Sequence, residues 1–132
     1  MDELPEWPAG TVAVLSTGAG EPHAIPVSTA VRRGPRELVL ALALRRESLA
    51  RLRSDPRCAV TVLAAGDLAF TAVGTAVVEE EGPRIAVVRV DVSRIDDHGQ
   101  DTFVIEDGVR WRWTDDDAAR TDAEVRARLL AP

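Results

Sequence analysis

The chain has 132 residues, a length suited to one domain with a single core, and its 45% apolar and 29% charged residues are those of a globular protein. Its 22 acids outnumber its 16 bases, every base is arginine, and the net charge of −6 with no basic stripe argues against nucleic acid as a partner, since that binding draws on phosphate neutralisation. No apolar run nears the roughly 20 residues that span a bilayer, so a membrane is not expected as a partner either. The acidic opening Met1-Asp2-Glu3-Leu4-Pro5-Glu6 lacks the layout of a secretory signal. The single cysteine, Cys58, cannot form an internal disulfide, so a reducing, cytoplasmic setting is expected.

In chain order, the β-branched, apolar segment Thr11 to Thr17 reads as a strand that ends at the turn Gly18-Ala19-Gly20. His23 to Val31 reads as a second strand, with Ile25, Val27, Thr29 and Val31 on one face and the smaller Ala24, Pro26, Ser28 and Ala30 on the other. Pro26 within it calls for an edge position or a bulge. Arg33-Gly34-Pro35-Arg36 is turn chemistry. Leu38 to Leu44 is continuously apolar, as in a strand buried on both faces.

Glu47 to Arg53 places Leu49 and Leu52 three apart and allows a Glu47–Arg51 pair, which predicts a short helix stopped by Asp55-Pro56. Strands follow at Cys58–Leu63, Ala69–Val78 and Ile85–Val92; Gly74 in the second of these predicts a bulge or a close backbone approach. Glu79-Glu80-Glu81-Gly82-Pro83 reads as a charged turn. Asp107-Gly108 between Thr102–Glu106 and Val109–Trp113 predicts a type I′ hairpin. Asp115 to Ala131 reads as a helix, with acids first and arginines last. Seven or eight mostly antiparallel strands, one short internal helix and a C-terminal helix predict a single mainly-β barrel or sandwich domain.

The ordered set Pro22-His23-Ala24-Ile25-Pro26-Val27, Glu37-Leu38-Val39-Leu40-Ala41, Leu52-Arg53-Ser54-Asp55-Pro56-Arg57 and Phe70-Thr71-Ala72-Val73-Gly74-Thr75-Ala76 resembles the pyridoxamine 5′-phosphate oxidase-like split barrels, over about residues 10–80. The resemblance implies a six-stranded split β-barrel, a homodimer, and flavin mononucleotide (FMN) or a related deazaflavin between the subunits, in an oxidoreductase whose flavin carries the redox chemistry. Members typically hold the phosphate with a Thr, a Ser and a Lys. Here those positions fall on Leu42, Arg46 and Ser48.

Arg45 and Arg46 precede the short helix, whose N-terminal N–H groups suit an anion. In a chain without lysine they are the candidate phosphate clamp, with Ser48 as a hydroxyl donor; the competing reading makes both arginines surface residues. Arg51 would serve the longer anionic tail of a deazaflavin, and Ser28 lies on the strand that touches the flavin ring in similar proteins. Trp111 and Trp113 either cover such a ring or close the core or the dimer contact. Loss of flavin binding, leaving a non-catalytic dimer, is the alternative function.

His23 and His98 are the two candidate acid–base residues, and either could ligate a haem. Neither has a serine or cysteine at a hydrolytic motif spacing. No Cys/His spacing suggests structural zinc. Asp96, Asp97, His98 and Asp101 read as a solvated turn before a metal site.

Overall fold

The computed structural model describes residues 1–131. Among them, seven strands form one antiparallel sheet: β1 (Ala13–Thr17), β2 (His23–Val27), β3 (Val31–Gly34), β4 (Glu37–Ala43), β5 (Arg57–Ala64), β6 (Leu68–Glu81) and β7 (Ile85–Asp97). Helix α1 (Glu47–Ser54) lies between β4 and β5, and α2 (Asp116–Leu129) follows β7.

The strand order β2-β1-β5-β6-β7-β4-β3 dictates the shape. Seven strands laid flat at the usual spacing would hold the outer two roughly 29 Å apart. Yet β2 and β3, the two edges, are consecutive in the chain, and four residue steps from Val27 to Val31 reach at most roughly 14 Å. The sheet must therefore curl until its edges face each other across Ser28-Thr29-Ala30. This seam is not closed by a ladder. Instead the Thr29 hydroxyl accepts from the Ala41 N–H of β4 at 3.0 Å, doing for one residue what a neighbouring strand would do.

Alternation fills the interior. Ala13 and Leu15 of β1, Val60 and Val62 of β5, Phe70 and Ala72 of β6, Val88 and Val90 of β7, and Leu38 and Leu40 of β4 are buried within one cluster. Burial of a Val, Leu or Phe side chain contributes about 1.5–3 kcal/mol each. The segment before β1 plugs one end: Leu4 is buried, and Trp7 packs on Phe70 at 5.6 Å between ring centroids while its Nε1 donates to the Ala30 carbonyl at 2.8 Å. A second, smaller cluster lies outside the barrel, where Val125 and Leu129 of α2 cover Val31, Val39 and Val87. That is why β4 is apolar on both faces. Asp115 caps α2 by accepting from the Asp117 N–H at 3.3 Å.

Several expectations need correction, one being that the strand expected over Ile85–Val92 runs to Asp97 and takes Asp96 and Asp97 out of the turn expected there, because the long β6 offers them partners. The strand expected over 23–31 ends at Val27. Pro26 does sit on an edge, but beyond Val27 the two-residue period fails: Ala30 faces the barrel interior and Val31 the outer cluster, because the chain must cross the seam. Glu79 to Glu81 continue β6, so the turn contracts to Gly82–Arg84. The hairpin expected over 102–113 does not form. Neither Asp107 nor Gly108 has the positive φ that a type I′ turn requires. That segment is held by isolated anchors, such as the Ile105 N–H donating to Asp67 Oδ1 at 2.9 Å. The consecutive positive φ angles belong instead to Gly66 and Asp67, in the β5–β6 turn.

Candidate functional site

At the end of β4 the chain turns, with the Arg46 N–H donating to the Ala43 carbonyl at 3.0 Å, and α1 begins. Arg46 is the N-cap in extended conformation, and its side chain makes no cap hydrogen bond. Its exposed guanidinium, Ser28, Thr29 and Ala43 line a cleft of about 180 Å³ at the seam. Of the residues singled out in the sequence, the fold thus brings together Ser28 and Arg46, with Leu42 in the cleft wall. Arg45 is exposed and does not line it.

Ser48 and Arg51 have other partners. Ser48 is 1% exposed, and its hydroxyl shares a hydrogen bond of 3.1 Å with His23 Nε2. His23 Nδ1 lies 3.3 Å from Glu47 Oε2. Arg51 Nη1 donates to the Ala19 and Glu21 carbonyls at 2.5 and 2.7 Å, and Nη2 lies 3.6 Å from Glu47. These contacts fasten the β1–β2 turn to α1. The order serine, histidine, carboxylate is that of a hydrolytic triad, but a hydroxyl sealed in the protein cannot meet a substrate. Both ring nitrogens of His23 are engaged, so it offers none to a haem iron. The sequence hid this cluster because its partners come from β2 and from α1.

A second, wider cleft of about 750 Å³ lies where the 109–113 segment crosses Gly10 and α2. Trp111 and Trp113 meet edge to face, 5.3 Å between centroids and 86° between planes, and Trp111 Nε1 donates to the Gly10 carbonyl at 2.9 Å. They remain 39% and 44% exposed, so they do not close the barrel core. Behind them Arg126 Nε donates to Asp122 Oδ2 at 2.7 Å, while the buried Arg126 Nη1 has no partner among the described residues. Arg126 went unremarked in the sequence, where one arginine in an arginine-rich helix carries no distinguishing mark. A hollow of about 330 Å³ between the two clefts shares Thr29 and Ala41 with the first, and Trp113 and Asp122 with the second.

Elsewhere the polar groups are structural. Burial pushes the Cys58 thiol up to about 11, which keeps it protonated and unreactive at neutral pH. The His98 ring meets the Thr71 hydroxyl at 2.7 Å, and Thr71 meets Thr61 at 2.8 Å. Among the described residues, no three His, Cys, Asp or Glu side chains are placed to hold a metal ion, and no helix is long and apolar enough to cross a membrane.

No protein-family model matches the chain, nor does any curated protein sequence. Solved structures do. A Lactobacillus delbrueckii protein named as a candidate pyridoxamine 5′-phosphate oxidase superposes with a TM-score of 0.59 at 17% identity, over 72% of this chain and 94% of its own. The flavin reductase component of a bacterial two-component tryptophan halogenase gives 0.60 at 11% identity, over 69% and 81%. The chain has the split-barrel fold of the pyridoxamine 5′-phosphate oxidase-like proteins. A haem-binding protein from Mycobacterium smegmatis also superposes, with a TM-score of 0.54 at 20% identity over 66% of this split barrel and 48% of that chain. At these identities the likeness is one of fold.

Proposed function

We propose that this split barrel is an FMN-binding, oxidoreductase-like protein that holds the phosphate in the cleft at the start of α1. The observation that carries the reading is the convergence there of Ser28, Thr29 and the exposed Arg46 on an N-terminus that no side chain caps. A helix start presents N–H groups and partial positive charge, and a guanidinium grips phosphate bidentately. Glu47 places a carboxylate in the same turn, but its charge is offset by the contact to Arg51. The residues therefore fit a phosphate through Arg46, Ser28 and backbone N–H groups. Bound there, a flavin would supply hydride transfer, and the protein would place and orient it.

The cofactor belongs, in this reading, at the contact of a homodimer. The outer face of β2, β1, β5 and the first half of β6 presents Ala24, Val14, Ser16, Ala59, Thr61, Leu63 and Thr71, with the charged Arg57 at its edge, at the start of β5. Val14 is 39% and Leu63 56% exposed, as expected of a patch that a second copy covers.

Titration with FMN and with riboflavin, which lacks the phosphate, tests the site. FMN should bind more tightly than riboflavin. Arg46→Ala should weaken FMN by about ten- to hundred-fold, the loss of a hydrogen bond to a charged group, and leave riboflavin unchanged. Arg45→Ala should change neither. Undiminished FMN affinity in Arg46→Ala sinks the assignment.

The engagement of Ser48 and Arg51 within the protein favours a second reading, a split-barrel dimer without cofactor or catalysis. Indifference to both FMN and a deazaflavin at high micromolar concentration would establish it.

A further inference from the structure

The Trp111–Trp113 cleft is separated from the start of α1 by the hollow that Thr29, Ala41, Trp113 and Asp122 line, and its chemistry differs. In a chain of net charge −6, its lining carries three arginines, Arg110, Arg112 and Arg126, against one acid, Asp122. Asp122 takes the Nε edge of Arg126, fixing the guanidinium plane and leaving Nη1 without an acceptor among the described residues. A guanidinium held in one plane at the wall of a cleft is a ready partner for an anionic oxygen. Beside it, two indoles are locked by the Trp111–Gly10 hydrogen bond and by their own edge-to-face contact, yet keep large apolar surfaces open. Rigid aromatic walls with one placed polar group are the usual make-up of a small-molecule site.

We infer that this cleft binds a planar aromatic monoanion, with its ring against Trp111 and Trp113 and its carboxylate on the edge of the Arg126 guanidinium that faces the cleft. A neutral aromatic would leave the guanidinium edge unpaired. An aliphatic acid would leave the indoles uncovered. A cation would face the arginines. The site needs nothing from the α1 cleft, so it stands whether or not flavin binds there.

The test uses 2-naphthoate and neutral 2-naphthamide, followed by calorimetry and by the three indole N–H resonances. Trp7, packed on Phe70, is an internal control. Naphthoate should bind saturably, shift the Trp111 and Trp113 resonances and spare Trp7, and bind about ten-fold or more tightly than the amide. Arg126→Gln should remove that preference while leaving the amide's affinity as it was. The acid–amide comparison on the unaltered protein decides the matter even if the variant fails to fold. Equal affinity for acid and amide, shifts confined to Trp7, or no saturable binding would overturn the inference. Naphthoate affinity should be unchanged by excess FMN; mutual exclusion would overturn the claim of a separate site, whereas failure of FMN to bind would count only against the flavin reading.

Discussion

At the scale of single residues, one set of ion pairs shows how a fold tunes its acids. Glu79 of β6 accepts from Arg33 of β3 at 2.7 and 2.8 Å and from Arg89 of β7 at 3.0 Å. The hydrogen bonds to Arg33, aided by Arg89, hold its carboxyl at about 2 against an ordinary 4.5. A carboxylate held low stabilises the native state above its unfolded value and loses that contribution as pH falls towards the native one. Stability should therefore decline as pH drops from about 4.5 to 2, and Glu79→Gln should flatten that part of the profile in urea titrations at stepped pH. An equal decline in the variant would show that other acids carry it. The same dependence on distant partners limited what the sequence told of the site. Arg46 was singled out from its place at a helix start, and Ser28 from a strand that ends one residue before it. That Ser48 is spent on His23, and Arg51 on the Ala19 and Glu21 carbonyls, depends on β1 and β2 lying against α1.

Among the elements, those most legible were those whose burial matches their local pattern. Helix α1 runs from Glu47 to Ser54, and β4 is apolar without interruption because it has the barrel on one side and α2 on the other. β3 was hidden because Val31 read as the end of the preceding strand and Arg33-Gly34 as part of a turn, and among the described residues its only ladder is with β4. Asp107-Gly108 misled because turn chemistry does not create a ladder for the flanking chain to join. Gly74 was read correctly on both counts. The β6–β7 register shifts between Val73 and Gly74, and a Cβ on Gly74 would lie 2.2 Å from the Asp91 carbonyl oxygen. That oxygen is backbone in a paired strand and cannot swing away. Gly74→Ala should cost at least about 1–3 kcal/mol, the usual range for overpacking, measured by urea denaturation. A neutral result would mean that the bulge can slide.

Over the whole molecule, charge is sorted by face. Arg33, Glu37, Glu79, Arg89 and Asp91 form a network across β3, β4, β6 and β7, while the middle of the outer face of β2, β1 and β5 is uncharged and Arg57 stands at its edge. If the second face is the dimer contact, Leu63→Glu should give a folded monomer, because a carboxylate there must be desolvated against another apolar surface. Sedimentation velocity on the two proteins checks this. A native chain that already sediments as a monomer, or a variant that stays dimeric, would move the contact elsewhere.

The strand order also sets a schedule for folding. Hairpins β1–β2 and β3–β4 and the meander β5–β6–β7 each join neighbours in the chain, and each can begin as soon as its own residues are available. The ladders that unite them, β1 with β5 and β4 with β7, pair residues as distant as Ala13 with Val62 and Glu37 with Asp91. Closing such long loops costs entropy before any contact repays it. The late and slow event in making this protein should therefore be the docking of three small pieces that are already formed.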